Sequence, residues 1–212
     1  MLDKIKAKKQ LSKDPIMKKV VKEVSFLNLD KSGNVFNELV KAIAYQQISY
    51  KAADTIYGRF LKLVGGEFFS PDEVLLLDDS ELRAVGFSRQ KAQYSQNIAR
   101  FFREKDLFTC NWDEYSDQEI LDLLTQIKGV GSWTVEMVLI FELQRPDVFP
   151  VKDLGIQQAM QGLYKLKSEK RALHKEMEAI AEAWKPHRTI ASLYLWAWKR
   201  ENPKAHIMNL SS

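Results

Sequence analysis

Across residues 36–64, apolar side chains recur at Phe36, Leu39, Val40, Ile43, Ala44, Ile56, Phe60, Leu63 and Val64. This three-and-four spacing gives a helix one buried stripe. A polar stretch, Gln46-Gln47-Ile48-Ser49, interrupts the pattern, and Gly65-Gly66 ends it. Ser70-Pro71-Asp72-Glu73 then combines a serine cap, a proline at the first helical position and an acid three residues on, which predicts a helix start. A short helix follows through Leu82 and Val85 to Gly86-Phe87-Ser88, and another from about Arg89 through Ile98 to Phe102. Beyond a polar break at 109–117, Ile120, Leu121, Leu123, Leu124 and Ile127 mark a helix that stops at Lys128-Gly129-Val130-Gly131-Ser132. The next begins near Trp133 and ends by Gln144, because Pro146 biases its predecessor out of helical geometry. Residues 147–153 (DVFPVKD) read as irregular. Helices are predicted at 154–164, at 168–184 and, after Pro186, from about Arg188 to Glu201. No stretch alternates like a strand, and no linker, low-complexity tract or long repeat divides the chain. The fold class is all-α, with residues 1–212 expected as one compact unit.

Composition narrows the setting. No apolar run approaches a membrane span, and the opening MLDKIKAKKQLSKD lacks the apolar core of a secretion signal. A single cysteine, Cys110, excludes an intrachain disulfide and any four-cysteine iron–sulfur or zinc centre, so a reducing, cytoplasmic (or nuclear) setting is expected. The formal net charge of +4 suits a polyanionic partner without proving one. Lys4, Lys6, Lys8, Lys9, Lys13, Lys18, Lys19 and Lys22 crowd the basic N-terminal segment (1–34), which fits a solvated helix face as well as a phosphate-binding arm. His174, His187 and His206 show no zinc spacing, so no catalytic metal is expected.

KGVGSWT (128–134) joins two helices through a turn with two glycines. Glycine permits positive φ and leaves no Cβ in the way of another backbone. The first amides of the following helix, from Gly129, Val130, Gly131, Ser132 and Thr134, can hold a phosphate without reading base sequence. Taken alone, this is also an ordinary glycine-ended helix followed by a capped one. It is neither a GxGxxG fingerprint nor a P-loop. A second turn, Val85-Gly86-Phe87-Ser88-Arg89, offers Arg89 and Lys91 to the same kind of contact, or is a plain helix junction.

LTQIKGVGSWTVEMVLIF (124–141), followed by DVFPVKDLGIQ (147–157), resembles the helix-hairpin-helix (HhH-GPD) DNA glycosylase superfamily. AIAYQQISYKAADTIYGRF (42–60), GFSRQKAQ (86–93) and WKPHRTIASLYLW (184–196) are similar to its 3-methyladenine DNA glycosylase II branch. The resemblance covers 35–200 in order, with the hairpin element at about 118–143. It implies two helical lobes with an active-site cleft between them. It further implies hydrolysis of the N-glycosidic bond of alkylated purines in duplex DNA, a monomeric enzyme and no organic cofactor. Asp153 matches the catalytic aspartate; from the residues alone it is equally an N-cap. Trp133, Met137 and His187 match base-pocket positions, each with a core-packing alternative, and Gln47 matches the residue that fills the gap left by a flipped base. The carbonyls of Thr125, Ile127 and Val130 match a monovalent cation site for Na+ or K+. Relatives that also cut the strand carry lysine two residues after the second hairpin glycine; here Trp133 stands there, which implies a monofunctional hydrolase. Lys152 replaces an acid common in relatives. Only some thirty-five residues, roughly counted, precede the matching region, so the compact form without an extra β-domain is expected. A non-enzymatic DNA-binding hairpin module, a bifunctional lyase and a generic helical scaffold remain the alternatives, and the preferred lesion stays open among 3-methyladenine, 7-methylguanine, ethenoadenine and hypoxanthine.

Overall fold

The computed structural model describes residues 2–25, 29, 31 and 33–203. Its ordered elements, among the described residues, are all helical. The chain forms two compact units, residues 30–143 and residues 1–29 with 144–212.

The 30–143 unit is built around α3 (Val35–Tyr45), which Asn34 caps and whose residues are almost all buried, from Phe36 through Ala44. A helix buried on nearly every side needs neighbours on nearly every side, and its buried polar residues need partners, as Asn37 Nδ2 has in Phe69 O. The neighbours of α3 are α4 (Tyr50–Val64), α7 (Arg89–Glu104) and α9 (Ser132–Met137). Phe36 meets the rings of Phe69, Phe102 and Phe108 within 5.9 Å, and Phe60 meets those of Phe69 and Phe87. The polar interruption at 46–49 separates α3 from α4, as its pattern predicts, and Ser49 caps the second helix.

Two local features depart from the sequence reading. The stretch after Ser70 is two helices rather than one, α5 (Pro71–Leu76) and α6 (Asp79–Ala84). Asp78 stops the first because it adopts extended backbone and forms a second reciprocal capping box with Glu81. The helix after the hairpin does reach its end before Gln144, but α9 widens into a π turn at Val138–Glu142, closed by Leu143 N–H to Val138 O at 3.0 Å. The preceding α8 (Asp117–Leu124) begins with the box Ser116/Glu119.

The other unit is organised around α12 (Arg188–Glu201), buried from Thr189 to Ala197. Against it pack α1 (Lys4–Leu11), α2 (Pro15–Glu23) and α10 (Leu154–Tyr164). The basic segment is therefore two anchored helices rather than a loose arm. Ala7, Leu11, Met17 and Val20 are buried while its lysines face outward. Asp14 joins these layers, capping α2 through Ile16 and Met17 N–H and accepting from Tyr164 Oη and Trp184 Nε1. Burial, with this carboxylate alongside, pushes the Tyr164 hydroxyl well above its usual pKa. The helix expected at 168–184 is shorter, α11 (Lys170–Ala181), with a 3-10 turn at Glu182–Trp184.

Candidate active site

Asp153 sits at the end of an irregular segment that is nonetheless closely held. Arg188, at the start of α12, grips Asp147 with Nε on Oδ1 (2.8 Å) and Nη2 on Oδ2 (2.9 Å). Thr189 Oγ1 donates to Arg145 O and accepts from Val148 N–H, while Thr189 N–H donates to Pro146 O. Val151 N–H to Phe149 O and Asp153 N–H to Pro150 O, both 2.9 Å, fold the chain around Pro150. The loop thus reaches the first turn of α10 in one geometry.

Asp153 is 7% exposed. Its Oδ1 accepts from Ile156 N–H at 2.9 Å, which is the N-cap bond of α10, and from Trp196 Nε1 at 2.8 Å. Cap and candidate catalyst are therefore one residue. His187 lies half-buried at the start of α12 in this same unit. His174 shares a 3.0 Å contact between its Nε2 and Gln157 Nε2, and His206 lies outside the described residues.

The hairpin belongs to the 30–143 unit. Its two glycines differ, against the expectation that both supply conformational freedom. Gly129 has φ +105°, and a Cβ there would fall 2.2 Å from the Tyr94 ring. Gly131 has φ −101° and ψ 175°, ordinary extended backbone, and a Cβ there would meet nothing within 4 Å. The fold demands the first glycine and leaves the second unexplained from within.

Side chains of α3 and α7 lace the surrounding turns together. Gln46 Nε2 donates to Thr134 Oγ1 at 3.0 Å and Gly129 O at 3.4 Å. Asn97 Nδ2 donates to Lys128 O at 3.0 Å. Lys91 Nζ donates to Ala44 O at 2.7 Å, and burial lowers the pKa of its ammonium. Gln47 is exposed at φ +59°, at the tip of the turn that Gln46 ties down. Arg89 is exposed at the first position of α7.

Two of the residues expected at the DNA backbone have side chains bonded within the protein. Thr134 is 1% exposed and its hydroxyl accepts from Gln46, so it faces the protein rather than a ligand. Lys91 fastens the Gly86 turn to the end of α3, and Arg89 is left as the outward cation of that turn. Trp133 is half-buried and Met137 buried, four residues apart on α9 and so on one face. Ile127 O accepts from Val130 N–H at 3.0 Å, which closes the turn whose Thr125, Ile127 and Val130 carbonyls were candidates for a cation.

Sequence reasoning missed Gln46 and Trp196. Gln46 looked like a second exposed glutamine, and nothing local marks it as the one facing the hairpin. For Trp196 the available signal is that a buried indole N–H needs an acceptor. A urea-melt double-mutant cycle of Gln46→Ala with Thr134→Val checks the lacing. We expect a coupling of about 1 kcal/mol, the scale of one hydrogen bond; strict additivity would show that the contact contributes nothing.

The family described as HhH-GPD superfamily base excision DNA repair protein matches residues 40–186. DNA-3-methyladenine glycosylase 1 of Schizosaccharomyces pombe is 39% identical over 165 residues, 76% of this chain and 71% of that protein. The putative DNA-3-methyladenine glycosylase YfjP of Bacillus subtilis is 33% identical over 77% of this chain, which spans 58% of that longer protein. Among solved structures, S. pombe 3-methyladenine DNA glycosylase (Mag1) in complex with abasic DNA superposes with a TM-score of 0.83. It shares 34% identity and covers 92% of this chain and 97% of that one. The chain belongs to the HhH-GPD superfamily of base excision DNA repair proteins, in its DNA-3-methyladenine glycosylase branch.

Proposed function

We propose that this chain is a monofunctional DNA glycosylase that hydrolyses the N-glycosidic bond of alkylated purines in duplex DNA, leaving an abasic site for base excision repair. The buried, doubly hydrogen-bonded Asp153 carboxylate carries the proposal. Glycosidic cleavage develops positive charge on the deoxyribose, and a fixed negative group in a dry site stabilises it without having to reorganise. The same carboxylate can orient the attacking water. An alkylated purine already carries positive charge and departs neutral, so one acid suffices.

The remaining residues divide the work of presenting the base. Turning a nucleotide out of the stack costs a few kcal/mol, and Gln47, held at the tip of its turn, is suited to fill the gap. Trp133 offers an aromatic face to a cationic purine, with Met137 on the same face of α9, and the family resemblance assigns His187 a contact with the base. The amides of Gly131 and Ser132, at the start of α9, are left to grip the strand, since the Val130 N–H closes the turn and Thr134 is buried, and Arg89 adds an outward charge. A monovalent cation is part of the same reading, since the Thr125, Ile127 and Val130 carbonyls are oxygen donors of the right type. Of these, Ile127 O keeps a second lone pair beyond its Val130 bond. It would supply positive charge next to a phosphate. Trp133 in place of an amine makes Schiff-base chemistry unavailable at that position. The reading includes a monomer acting in a cytoplasmic or nuclear compartment. No helix among the described residues is long and apolar enough to cross a membrane.

A duplex bearing one 7-methylguanine tests hydrolysis against strand cutting. The strand should break only after alkali, and borohydride should trap no covalent adduct. A trapped adduct would make the enzyme a lyase, and binding without an alkali-labile site would make it a DNA-binding module.

A further inference from the structure

We infer that Trp196 is a positioning residue for the reaction, holding the Asp153 carboxylate in its working orientation, and that Gly155 is glycine to let it do so. The inference rests on the glycosylase reading and deepens it. An aspartate at an N-cap needs one donor, and Ile156 N–H supplies it at 2.9 Å. The Trp196 indole adds a second donor to the same oxygen, Oδ1, at 2.8 Å, from a residue 43 positions away on α12. Two donors on one oxygen, one from a helix amide and one from a rigid ring, fix the plane of the carboxylate and hence the direction of Oδ2. A cap alone leaves that plane free to swing about the Ile156 bond.

Gly155 points the same way. Its φ lies outside the left-handed region, so its backbone does not call for glycine. A helical glycine costs up to about 1 kcal/mol relative to alanine. What occupies the space of its missing side chain is the contact itself: a Cβ there would lie 3.1 Å from Asp153 Oδ1, 3.2 Å from Trp196 Cδ1 and 3.4 Å from Trp196 Nε1. The closest approach is to the carboxylate oxygen that receives both bonds. Trp196 itself is 8% exposed, so its N–H has little access to water as an alternative partner. Misplacing a reacting group slightly slows chemistry far more than it weakens binding.

The test compares the wild type with Trp196→Phe, which keeps an aromatic ring and loses the donor, and with Gly155→Ala, which crowds the contact from the other side. Three quantities are read: the single-turnover rate of 7-methylguanine release, affinity for an abasic-site duplex, and thermal stability. Trp196→Phe should slow release roughly 10- to 100-fold, the weight of a hydrogen bond to a charged group, with affinity unchanged within about twofold. Gly155→Ala should slow release with the same pattern, and the double variant should fall no further than the worse single one, because both act through one contact. Release by Trp196→Phe at the wild-type rate overturns the inference. So does a loss that tracks weakened binding or unfolding, because that is the mark of a packing residue. A wild type that releases no base sinks the glycosylase reading and this role with it; a wild type that excises beside an equally fast Trp196→Phe sinks the role alone.

Discussion

Asp153→Asn should lose base excision by roughly a thousandfold or more, the upper range for removing one preorganised electrostatic group, while DNA affinity holds or rises slightly. Asparagine has nearly the shape of aspartate and keeps an oxygen to accept from Ile156 N–H and Trp196 Nε1, so the cap and the loop ahead of it survive. What disappears is the negative charge that faces a developing cation. Removing that charge also takes a repulsive group away from a polyanion, hence the sign expected for binding. Single-turnover release and a gel-shift on the same lesion duplex separate the two effects. Parallel loss of binding and release would mean that Asp153 is a cap and nothing more.

The two hairpin glycines should answer differently to substitution. Gly129→Ala forces a Cβ into the Tyr94 ring at 2.2 Å and keeps a left-handed backbone. The cost is roughly 2–5 kcal/mol of stability, from the backbone and overpacking contributions together. The Cβ of Gly131→Thr meets no atom of the protein within 4 Å, at an N-cap position that threonine occupies about as well as glycine. Stability should therefore move by less than about 0.5 kcal/mol. DNA affinity should nonetheless fall roughly 10- to 100-fold, the worth of a backbone amide bond to a charged phosphate. The loss should be equal for lesion and undamaged duplex, since amides that grip phosphate read no sequence. Full affinity in a folded Gly131→Thr would place the strand elsewhere; a loss confined to the lesion duplex would assign the turn to base recognition.

Much of the fold was legible because helix starts are written locally. Ser70 with Glu73, the glycine pair at 65–66 and Pro146 each act through their own backbone, so those boundaries followed from residue type. Asp78 follows the same chemistry, yet the apolar spacing on either side of it continued so smoothly that the second capping box was read through. The π turn at Val138–Glu142 had no local marker, because the continuous apolar run Val138-Leu139-Ile140-Phe141 gives no period against which an extra residue would show. For the site, residue type marked Gly129 as a turn and Asp153 as a cap, while the catalytic match of Asp153 and the place of Gln47 came only from the family resemblance. The partners were not marked. Gln46 to Thr134, Lys91 to Ala44 and Trp196 to Asp153 are contacts across 88, 47 and 43 positions, fixed by packing that a linear pattern does not encode. A lysine near a turn reads as a phosphate contact until the carbonyl it caps is seen.

The measurement closest to the central claim is release of free base by the wild-type protein from a duplex with a single labelled 7-methylguanine. Chromatography follows the base, and alkali treatment follows the sugar. We predict free base and alkali-labile abasic sites appearing mole for mole, in an otherwise intact strand. Tight binding of that duplex with no base released, across 3-methyladenine, ethenoadenine and hypoxanthine as well, would contradict it.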